Sequence, residues 1–340
     1  MIIVIKPGAT KEQVDEVLTQ LQEKNLQAHI SEGAERMIIG IIGDKSRLQP
    51  DILEVLPAVE KLVPIMESYK LASKAFRPEG SAFSIKDVNI GGAELTMIAG
   101  PCAVESEEQV EAVAVTVKKA GARFLRGGAY KPRTSPYAFQ GLEKEGLKIL
   151  KRVADRHGLL VISEITSETD IEYAADYLDV IQIGARNAQN FRLLSAVGKS
   201  KIPVLLKRGI AETIDELLGS AEYIMSEGNY KIILCERGIR TFEPATRSTL
   251  DISAVPVLKG KTHLPVIVDP SHAAGKARYV SPLALSAVAA GADGLIVEVH
   301  PNPRVALSDA AQQLTPEAYI ELTDKIRRMA PILQRTYPNE

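Results

Sequence analysis

The sequence predicts an α/β protein in which a small ferredoxin-like α+β domain precedes a (β/α)₈ barrel. From residue 94 onward, eight short and nearly continuous apolar segments alternate with helical stretches, a pattern typical of buried parallel strands with helical crossovers. No Gly-x-Gly-x-x-Gly follows the first of these strands, so the main signal of a dinucleotide-binding open sheet is missing. The length of 340 residues accommodates a barrel and one accessory domain.

The first 66 residues read as strand, helix, strand, strand, helix, strand. Thr10 is the expected N-cap of the first helix, which carries Val14, Val17 and Leu21 at helical spacing. We predict a second helix over 46–56 and strands over 2–6, 26–31, 37–42 and 59–66. This order is the ferredoxin-like split βαβ arrangement, so we expect a regulatory or dimerising domain at 1–66.

Glycine and proline mark residues 67–93 as a linker with a capping hairpin, and the catalytic barrel is predicted over 94–340. Ser106 and Gln109 suggest a capping box at the start of a helix over 106–120. The eight barrel strands are predicted at 95–100, 123–128, 159–164, 180–185, 203–208, 231–236, 265–270 and 294–299.

Composition excludes several classes of partner. A formal net charge of −2 argues against nucleic acid or a membrane surface as ligand. No apolar run approaches the roughly 20 residues that a membrane span requires, and the N-terminus lacks the features of a signal peptide. Two cysteines are too few for a disulfide framework, so we expect a cytoplasmic protein. Cys235 lies inside an apolar strand and is expected to be a buried hydrophobe.

Active sites of such barrels form at the carboxyl ends of the strands. Cationic residues converge there from several strand ends, and as a group they would repel one another unless anions neutralised them. Guanidinium groups suit phosphate and carboxylate, so we expect a site for more than one anion. The cations are Arg126, Lys131, Arg133, Arg186, Lys207 and Arg237.

A second group of strand-end residues has the side chains of metal ligands. Cys102, His272, Glu298 and Asp309 lie near the ends of strands 1, 7 and 8, which are neighbours in a closed barrel. Taken singly, a cysteine or histidine is more often a structural residue, which is our interpretation of His157 and His263. A mixed sulfur, nitrogen and oxygen set suits one divalent ion of Mn, Fe, Co or Zn better than Ca²⁺ or Mg²⁺.

Several segments together resemble 3-deoxy-D-arabino-heptulosonate 7-phosphate (DAHP) synthases of the short type with an N-terminal ferredoxin-like domain. They are AGPCAVES (99–106), LRGGAYKPRTSPYAFQG (125–141), IGARNAQNF (183–191), KRG (207–209), LCERGIRTFE (234–243), VDPSHAAG (268–275) and VEVHPNPRVALSDAAQ (297–312). The resemblance implies an enzyme that condenses phosphoenolpyruvate with erythrose 4-phosphate, the first step of the shikimate pathway.

Carried over by position, the resemblance assigns roles to individual residues. It implies that Cys102, His272, Glu298 and Asp309 are the metal ligands and that Glu164 positions a water. Lys131 and His272 are the candidate proton donors. The implied phosphoenolpyruvate contacts are Arg126, Lys131, Ala185, Arg186, Lys207, Arg237 and His272, and the implied aldose phosphate loop is Pro132, Arg133, Thr134 and Ser135.

Two alternatives remain at this point. The sister family, 3-deoxy-D-manno-octulosonate 8-phosphate synthase, uses arabinose 5-phosphate, but its loop resembles KANRTS where this chain has KPRTS. The chain could instead be an amino-acid sensor with a non-catalytic barrel. The resemblance further implies inhibition by tyrosine or phenylalanine, with His29 and Ser31 as effector contacts on one face of the second strand, and a homotetramer.

Overall fold

The structure is a computed structural model that describes residues 1–32, 36–43, 50–63, 69–132 and 135–338. The chain divides into two compact units. The first comprises Met1–Ser81 together with Lys261–His263, and the second comprises Ala82–Gly260 together with Leu264–Glu340. Within the described parts of the chain, no helix is both long and apolar enough to cross a membrane.

The first unit has the predicted ferredoxin-like fold. Its four strands form one sheet in the order β2-β3-β1-β4, and β1 is antiparallel to both of its neighbours. The second helix was predicted from residue 46, but 44–49 lie outside the described residues. The elements are β1 (Ile2–Ile5), α1 (Lys11–Glu23), β2 (Gln27–Glu32), β3 (Met37–Ile42), α2 (Pro50–Glu54) and β4 (Val59–Val63).

Local signals explain the first helix. Thr10 caps it as predicted, and a reciprocal bond between the Gln13 side chain and the Thr10 backbone completes a capping box. Val14, Val17 and Leu21 lie on its buried face and pack against the sheet in one apolar cluster with Ile3.

One face of the sheet in this unit carries an aromatic contact. The His29 ring on β2 stacks on the Phe76 ring with a centroid separation of 4.8 Å. Gly40, which pairs with His29 in the sheet, leaves room for that ring, because a Cβ there would lie 2.7 Å from Phe76 Cε2. Phe76 in turn lies 6.0 Å from the ring of His263.

The second unit is the predicted eight-stranded barrel, closed by parallel pairing of β14 with β7. Each strand begins and ends within three residues of its predicted bounds. The strands are β7 (Thr96–Gly100), β8 (Phe124–Arg126), β9 (Leu160–Glu164), β10 (Val180–Ile183), β11 (Val204–Lys207), β12 (Ile232–Glu236), β13 (Val266–Val268) and β14 (Gly294–Glu298).

Helices cover the outside of this barrel. In sequence order they are α3 (Glu107–Lys119), α4 (Glu143–His157), α5 (Ile171–Ala174), α6 (Phe191–Ser200), α7 (Ile214–Ser226), α8 (Ala254–Lys261), α9 (Pro270–Ala274), α10 (Ala277–Ala289) and α11 (Pro316–Met329). Only one of the two hydrogen bonds of the predicted capping box on α3 is present. Ser106 accepts from the Gln109 backbone, but the Gln109 side chain bonds the Glu105 amide instead of the Ser106 amide.

A short hairpin supplies part of the barrel core. β5 (Phe83–Ile85) and β6 (Val88–Ile90) pair antiparallel, and their buried side chains join a cluster with residues from all eight barrel strands. Cys235 is fully buried in that cluster, which confirms its interpretation as a hydrophobe. Because the core fills the barrel interior, the strand ends remain as the place for chemistry.

Candidate active site and metal centre

A cavity of about 300 Å³ opens among the strand ends. Cys102 and Glu298 are buried beside it, whereas Ser135 is exposed and Arg133 and Thr134 lie outside the described residues. His29 and Ser31 belong to the first unit. The predicted residues that line the cavity are Arg126, Lys131, Pro132, Glu164, Ala185, Arg186, Lys207, Arg237, His272 and Asp309.

The four predicted metal ligands come together. One ligand atom from each of Cys102, His272, Glu298 and Asp309 lies within 4.8 Å of all the others. His272 Nε2 is 3.5 Å from Glu298 Oε1 and 3.8 Å from Asp309 Oδ2. The set combines a thiol, an imidazole and two carboxylates, which fits a divalent ion of intermediate softness.

The sequence around His272 explains the orientation of its imidazole ring. Asp269 caps α9 and accepts from the His272 amide, and Pro270 occupies the first helical turn. The other carboxylate oxygen of Asp269 accepts from His272 Nδ1 at 2.7 Å, so Nδ1 carries the proton and Nε2 is free to ligate. Burial alone would raise the pKa of Asp269, but His272 and Lys207 hold it well below its usual range.

The thiol of Cys102 is fully buried, and several groups of the site surround it. Its Sγ lies 3.1 Å from Ser308 Oγ and accepts from Lys131 Nζ at 3.2 Å. Burial and, secondly, the Glu298 carboxylate raise the pKa of Cys102 to about 11. Without a bound metal ion the cysteine is therefore protonated at neutral pH, and metal binding would release its proton.

Glu298 is also surrounded by donors. Its Oε1 accepts from Arg126 Nη1 at 3.0 Å and its Oε2 from Gln312 Nε2 at 2.6 Å. Burial would raise the pKa of this carboxyl, yet His272 and Arg126 lower it overall. The ligand is thus held ionised inside the protein.

The expectation that the converging cations need external anions is correct for only part of the cluster. Lys207 forms a buried ion pair with Asp269, and Arg126 forms one with Glu298. Protein carboxylates therefore neutralise these two. Arg186 and Arg237 have no carboxylate partner within the described residues, and they remain available to an anionic ligand.

Arg237 is the clearest case of a cation prepared for a ligand. It is only 5% exposed, and its guanidinium donates to Ser248 Oγ at 3.0 Å and to the Gly238 and His272 carbonyls. Burial lowers the pKa of Arg237, and the neighbouring Arg247 adds to that effect. Arg126, in contrast, has a buried Nε without a hydrogen-bond acceptor among the described residues. Such uncompensated donors are costly unless a ligand accepts from them.

Glu164 lies at the end of β9 and lines the cavity. It is half-buried, and Gln182 Nε2 donates to its Oε2 at 3.4 Å. The carboxylate fits against Gly184, where a Cβ would lie 2.0 Å from Oε1. The glycine thereby sets where this carboxylate can lie.

Asp269, Arg247 and Gln312 are among the residues of the site that were not selected from the sequence. Asp269 orients His272, and its Asp-Pro-Ser-His sequence is a capping pattern that could have revealed it. Arg247 pairs with Asp309 at 2.9 Å, and Gln312 joins Glu298 to Arg247. Arg247 and Gln312 lie in loops without a periodic sequence pattern, and nothing in the neighbouring sequence indicates their roles.

Comparison with known proteins agrees with this geometry. Residues 69–335 match the model of the DAHP synthetase I family, and residues 1–67 match that of the DAHP synthase ferredoxin-like domain. The phospho-2-dehydro-3-deoxyheptonate aldolase of Thermotoga maritima is 52% identical over 333 residues, which are 98% of each chain. A 2-dehydro-3-deoxyphosphooctonate aldolase of Syntrophotalea carbinolica is 33% identical over 249 residues, 68% of this chain and 89% of that protein.

Two solved structures extend the comparison. The crystal structure of the T. maritima aldolase (DAHP synthase) superposes with a TM-score of 0.79 at 51% identity, covering 99% of this chain and 98% of that one. A truncated form of the T. maritima 3-deoxy-D-arabino-heptulosonate 7-phosphate synthase gives a TM-score of 0.74 at 50% identity, covering 79% of this chain and 99% of that one.

Proposed function

This chain belongs to the DAHP synthetase I family, and we propose that its barrel condenses phosphoenolpyruvate with erythrose 4-phosphate, giving 3-deoxy-D-arabino-heptulosonate 7-phosphate and phosphate. It is an enzyme of the transferase class that forms a carbon–carbon bond. The observation that carries the proposal is that the cavity is lined by Arg186 and Arg237, which have no carboxylate partner among the described residues, and by His272 and Asp309 of the metal group. The other two members of that group, Cys102 and Glu298, are buried beside the cavity.

The cavity matches the charges of these substrates. Phosphoenolpyruvate carries a phosphate and a carboxylate, and the aldose carries a second phosphate. Arg186, Arg237, Lys207 and the free Nε of Arg126 bind phosphoenolpyruvate, with the Ala185 backbone beside it. Guanidinium forks hold such anions through paired hydrogen bonds. Their number fits two anionic groups on one small molecule.

A divalent ion held by Cys102, His272, Glu298 and Asp309 would supply Lewis acidity toward a substrate oxygen. C3 of phosphoenolpyruvate forms a bond to the aldehyde carbon, water adds at C2, and C–O cleavage releases phosphate. Glu164, which lines the same cavity, positions that water. Its place against Gly184 keeps the carboxylate directed into the cavity.

Lys131 is the better of the two candidate proton donors to the new hydroxyl. His272 donates through Nδ1 to Asp269, and its Nε2 belongs to the ligand set, so neither nitrogen is available. Lys131 Nζ lies 3.2 Å from Cys102 Sγ, at the edge of the ligand set, and its side chain lines the cavity. Lys131→Ala should lower kcat strongly; a change in KM alone would assign Lys131 to binding.

The loop Pro132–Ser135 binds the phosphate of the aldose in this proposal. The five-carbon aldose of the sister family is the alternative substrate. Full-length similarity at 52% identity to a DAHP synthase, against 33% over two thirds of the chain for the sister enzyme, favours the four-carbon aldose. A competition assay with erythrose 4-phosphate and arabinose 5-phosphate tests this, and preference for the latter would reject it.

The central experiment measures phosphate release after chelation and dialysis. We expect no activity without metal and recovery when Mn²⁺, Fe²⁺, Co²⁺ or Zn²⁺ is added singly, and the order of recovery identifies the preferred ion. Turnover by the metal-free protein at the native rate would reject a metal-dependent synthase.

Residues 1–66 form the regulatory domain in this proposal, with His29 and Ser31 as contacts for tyrosine or phenylalanine. Its support is the match to the ferredoxin-like domain of the same enzymes. A chain lacking residues 1–66 should remain active and lose inhibition by these amino acids, whereas inhibition that survives the truncation would exclude the domain. We also propose a homotetramer in the cytoplasm, to be tested by light scattering and by fractionation.

A further inference from the structure

Each anionic ligand of the metal set has a cation of its own. Lys131 Nζ lies 3.2 Å from the Cys102 sulfur, and Arg126 Nη1 lies 3.0 Å from Glu298 Oε1. Arg247 Nη1 lies 2.9 Å from Asp309 Oδ2. A thiolate and two carboxylates exceed the charge of one divalent ion, so nearby cations stabilise the loaded site. Lys131 and Arg126 also belong to the proposed substrate cluster, whereas Arg247 has no role in the proposed reaction.

Arg247 contacts more than one ligand through a single amide. It donates to Gln312 Oε1 at 2.9 Å. Gln312 Nε2 in turn donates to Glu298 Oε2 at 2.6 Å and to Asp309 Oδ2 at 3.3 Å. Gln312 is 2% exposed, whereas the Arg247 side chain that donates to it is 37% exposed. One arginine and one amide therefore fix both carboxylate ligands.

Asp309 needs such support more than the other ligands do. It lies in the loop after β14 and adopts a φ of 50°, in the left-handed region of backbone conformation that residues other than glycine rarely occupy. Glu298, in contrast, is held by its strand. A strained residue persists only when its surroundings fix it. The bonds from Arg247 and Gln312 to the Asp309 carboxylate provide that restraint.

We propose that Arg247 and Gln312 are positioning residues that hold Asp309 and Glu298 in the arrangement that binds the metal, so that they set metal affinity. This rests on the proposed metal site and adds to it two residues that touch neither the ion nor the reacting atoms. Partners behind metal ligands commonly contribute about 10–100-fold to affinity. Arg247 also lines the cavity, so the competing role is binding of a substrate phosphate.

Metal affinity separates these roles without relying on turnover. The full chain is stripped of metal and titrated with Mn²⁺ against a fluorescent chelator, and melting temperatures are recorded with and without Mn²⁺. We expect Arg247→Met and Gln312→Met to raise the Mn²⁺ Kd about 10–100-fold and to shrink the Mn²⁺-induced rise in Tm. Arg247→Lys, which keeps the charge on a shorter side chain, should fall between.

Arg240→Met is the matched control. Arg240 lines the same cavity and is exposed, with no carboxylate partner in the described parts of the chain. We expect no resolvable change in its Mn²⁺ Kd. The metal-free Tm of each variant shows whether it is folded. If Arg247→Met does not fold, the Mn²⁺ Kd of Arg247→Lys tests the proposal instead.

The outcomes are distinct. A native Mn²⁺ Kd in Arg247→Met overturns the positioning role, and a raised KM for erythrose 4-phosphate with that native Kd assigns Arg247 to the substrate. If the unaltered chain binds no Mn²⁺, Co²⁺, Fe²⁺ or Zn²⁺, the metal-dependent function itself fails, and the inference fails with it.

Discussion

His272 donates its Nδ1 proton to Asp269 across 2.7 Å, and this bond turns Nε2 toward Glu298 and Asp309. The same carboxylate oxygen of Asp269 accepts from Lys207. One buried carboxylate thus connects the proposed metal ligands to the proposed substrate contacts.

Asp269→Asn should weaken metal binding and lower stability at once. The amide is a poorer acceptor for Nδ1, so we expect the Mn²⁺ Kd to rise about 10–100-fold. It also leaves Lys207 buried without its counter-ion, which costs roughly 3–5 kcal/mol. Lys207→Met is the matched control, because it breaks the same ion pair and leaves the bond to His272 intact. Chelator competition and denaturant titration measure the two effects; native affinity in Asp269→Asn would refute the orienting role.

Arg237→Met should lose affinity for phosphoenolpyruvate and gain stability. Arg237 is buried without a carboxylate partner in the described structure, and burial lowers its pKa, so the folded chain is destabilised by this charge. Losing a charged hydrogen-bond donor costs about 1.5–3 kcal/mol of binding, which predicts a KM raised roughly tenfold to a hundredfold. Steady-state kinetics check the expected rise in KM for phosphoenolpyruvate, and a thermal melt checks the expected rise in Tm. A native KM would remove Arg237 from the substrate site.

Gly184→Ala should lower kcat with little change in Tm. The backbone at Gly184 tolerates alanine, but the new Cβ would lie 2.0 Å from Glu164 Oε1 and displace that carboxylate. The side chain of Glu164 is flexible and half-buried, so the protein can accommodate the shift. The control is Glu164→Gln, which should lower kcat similarly without a steric change. If Gly184→Ala retains native kcat, the position of Glu164 is not critical.

The first unit should lose stability as the pH falls from about 6.5 to about 4. Burial lowers the pKa of His263 from 6.5 to about 4. The unfolded chain therefore takes up a proton first, and stability that is complete above pH 6.5 falls as the pH approaches 4, by roughly 3 kcal/mol for this group. The neutral ring fits its site, because Nε2 can donate to the Leu71 carbonyl while Nδ1 accepts from Ser81.

His263→Gln is the matching variant, since its amide keeps a donor toward Leu71 and does not titrate in this range. Denaturant titrations at pH 7 and pH 4.5 should show a smaller loss of stability in the variant than in the native chain. An equal loss in both would assign the acid sensitivity to other groups.

The barrel was predictable from sequence because its strands are buried on both faces and read as continuous apolar runs. The same geometry brings the carboxyl ends together, so Cys102 and Asp309 could be placed in one site although 207 residues separate them. The family resemblance then supplied roles that spacing alone left open.

What escaped prediction depends on contacts between loops. Arg247 lies beyond β12 in a segment without helix or strand, and its partner Asp309 lies beyond β14. No periodicity relates them. The pairing of Lys207 with Asp269 was also missed, because a charge count at the barrel mouth does not show which cations already have a carboxylate partner.

The three residues Lys261–His263 belong to the first unit although they begin at the last residue of α8 and precede β13 in the chain. This matters to anyone who would transfer the first unit to another enzyme. A fragment ending at residue 66 would contain the sheet but not Phe76, whose ring contacts that of His29. It would also lack Leu71 and Ser81, the hydrogen-bond partners of His263. A transfer of the whole unit has to include the chain through Ser81 and a second segment of three residues, so the unit is discontinuous in the gene.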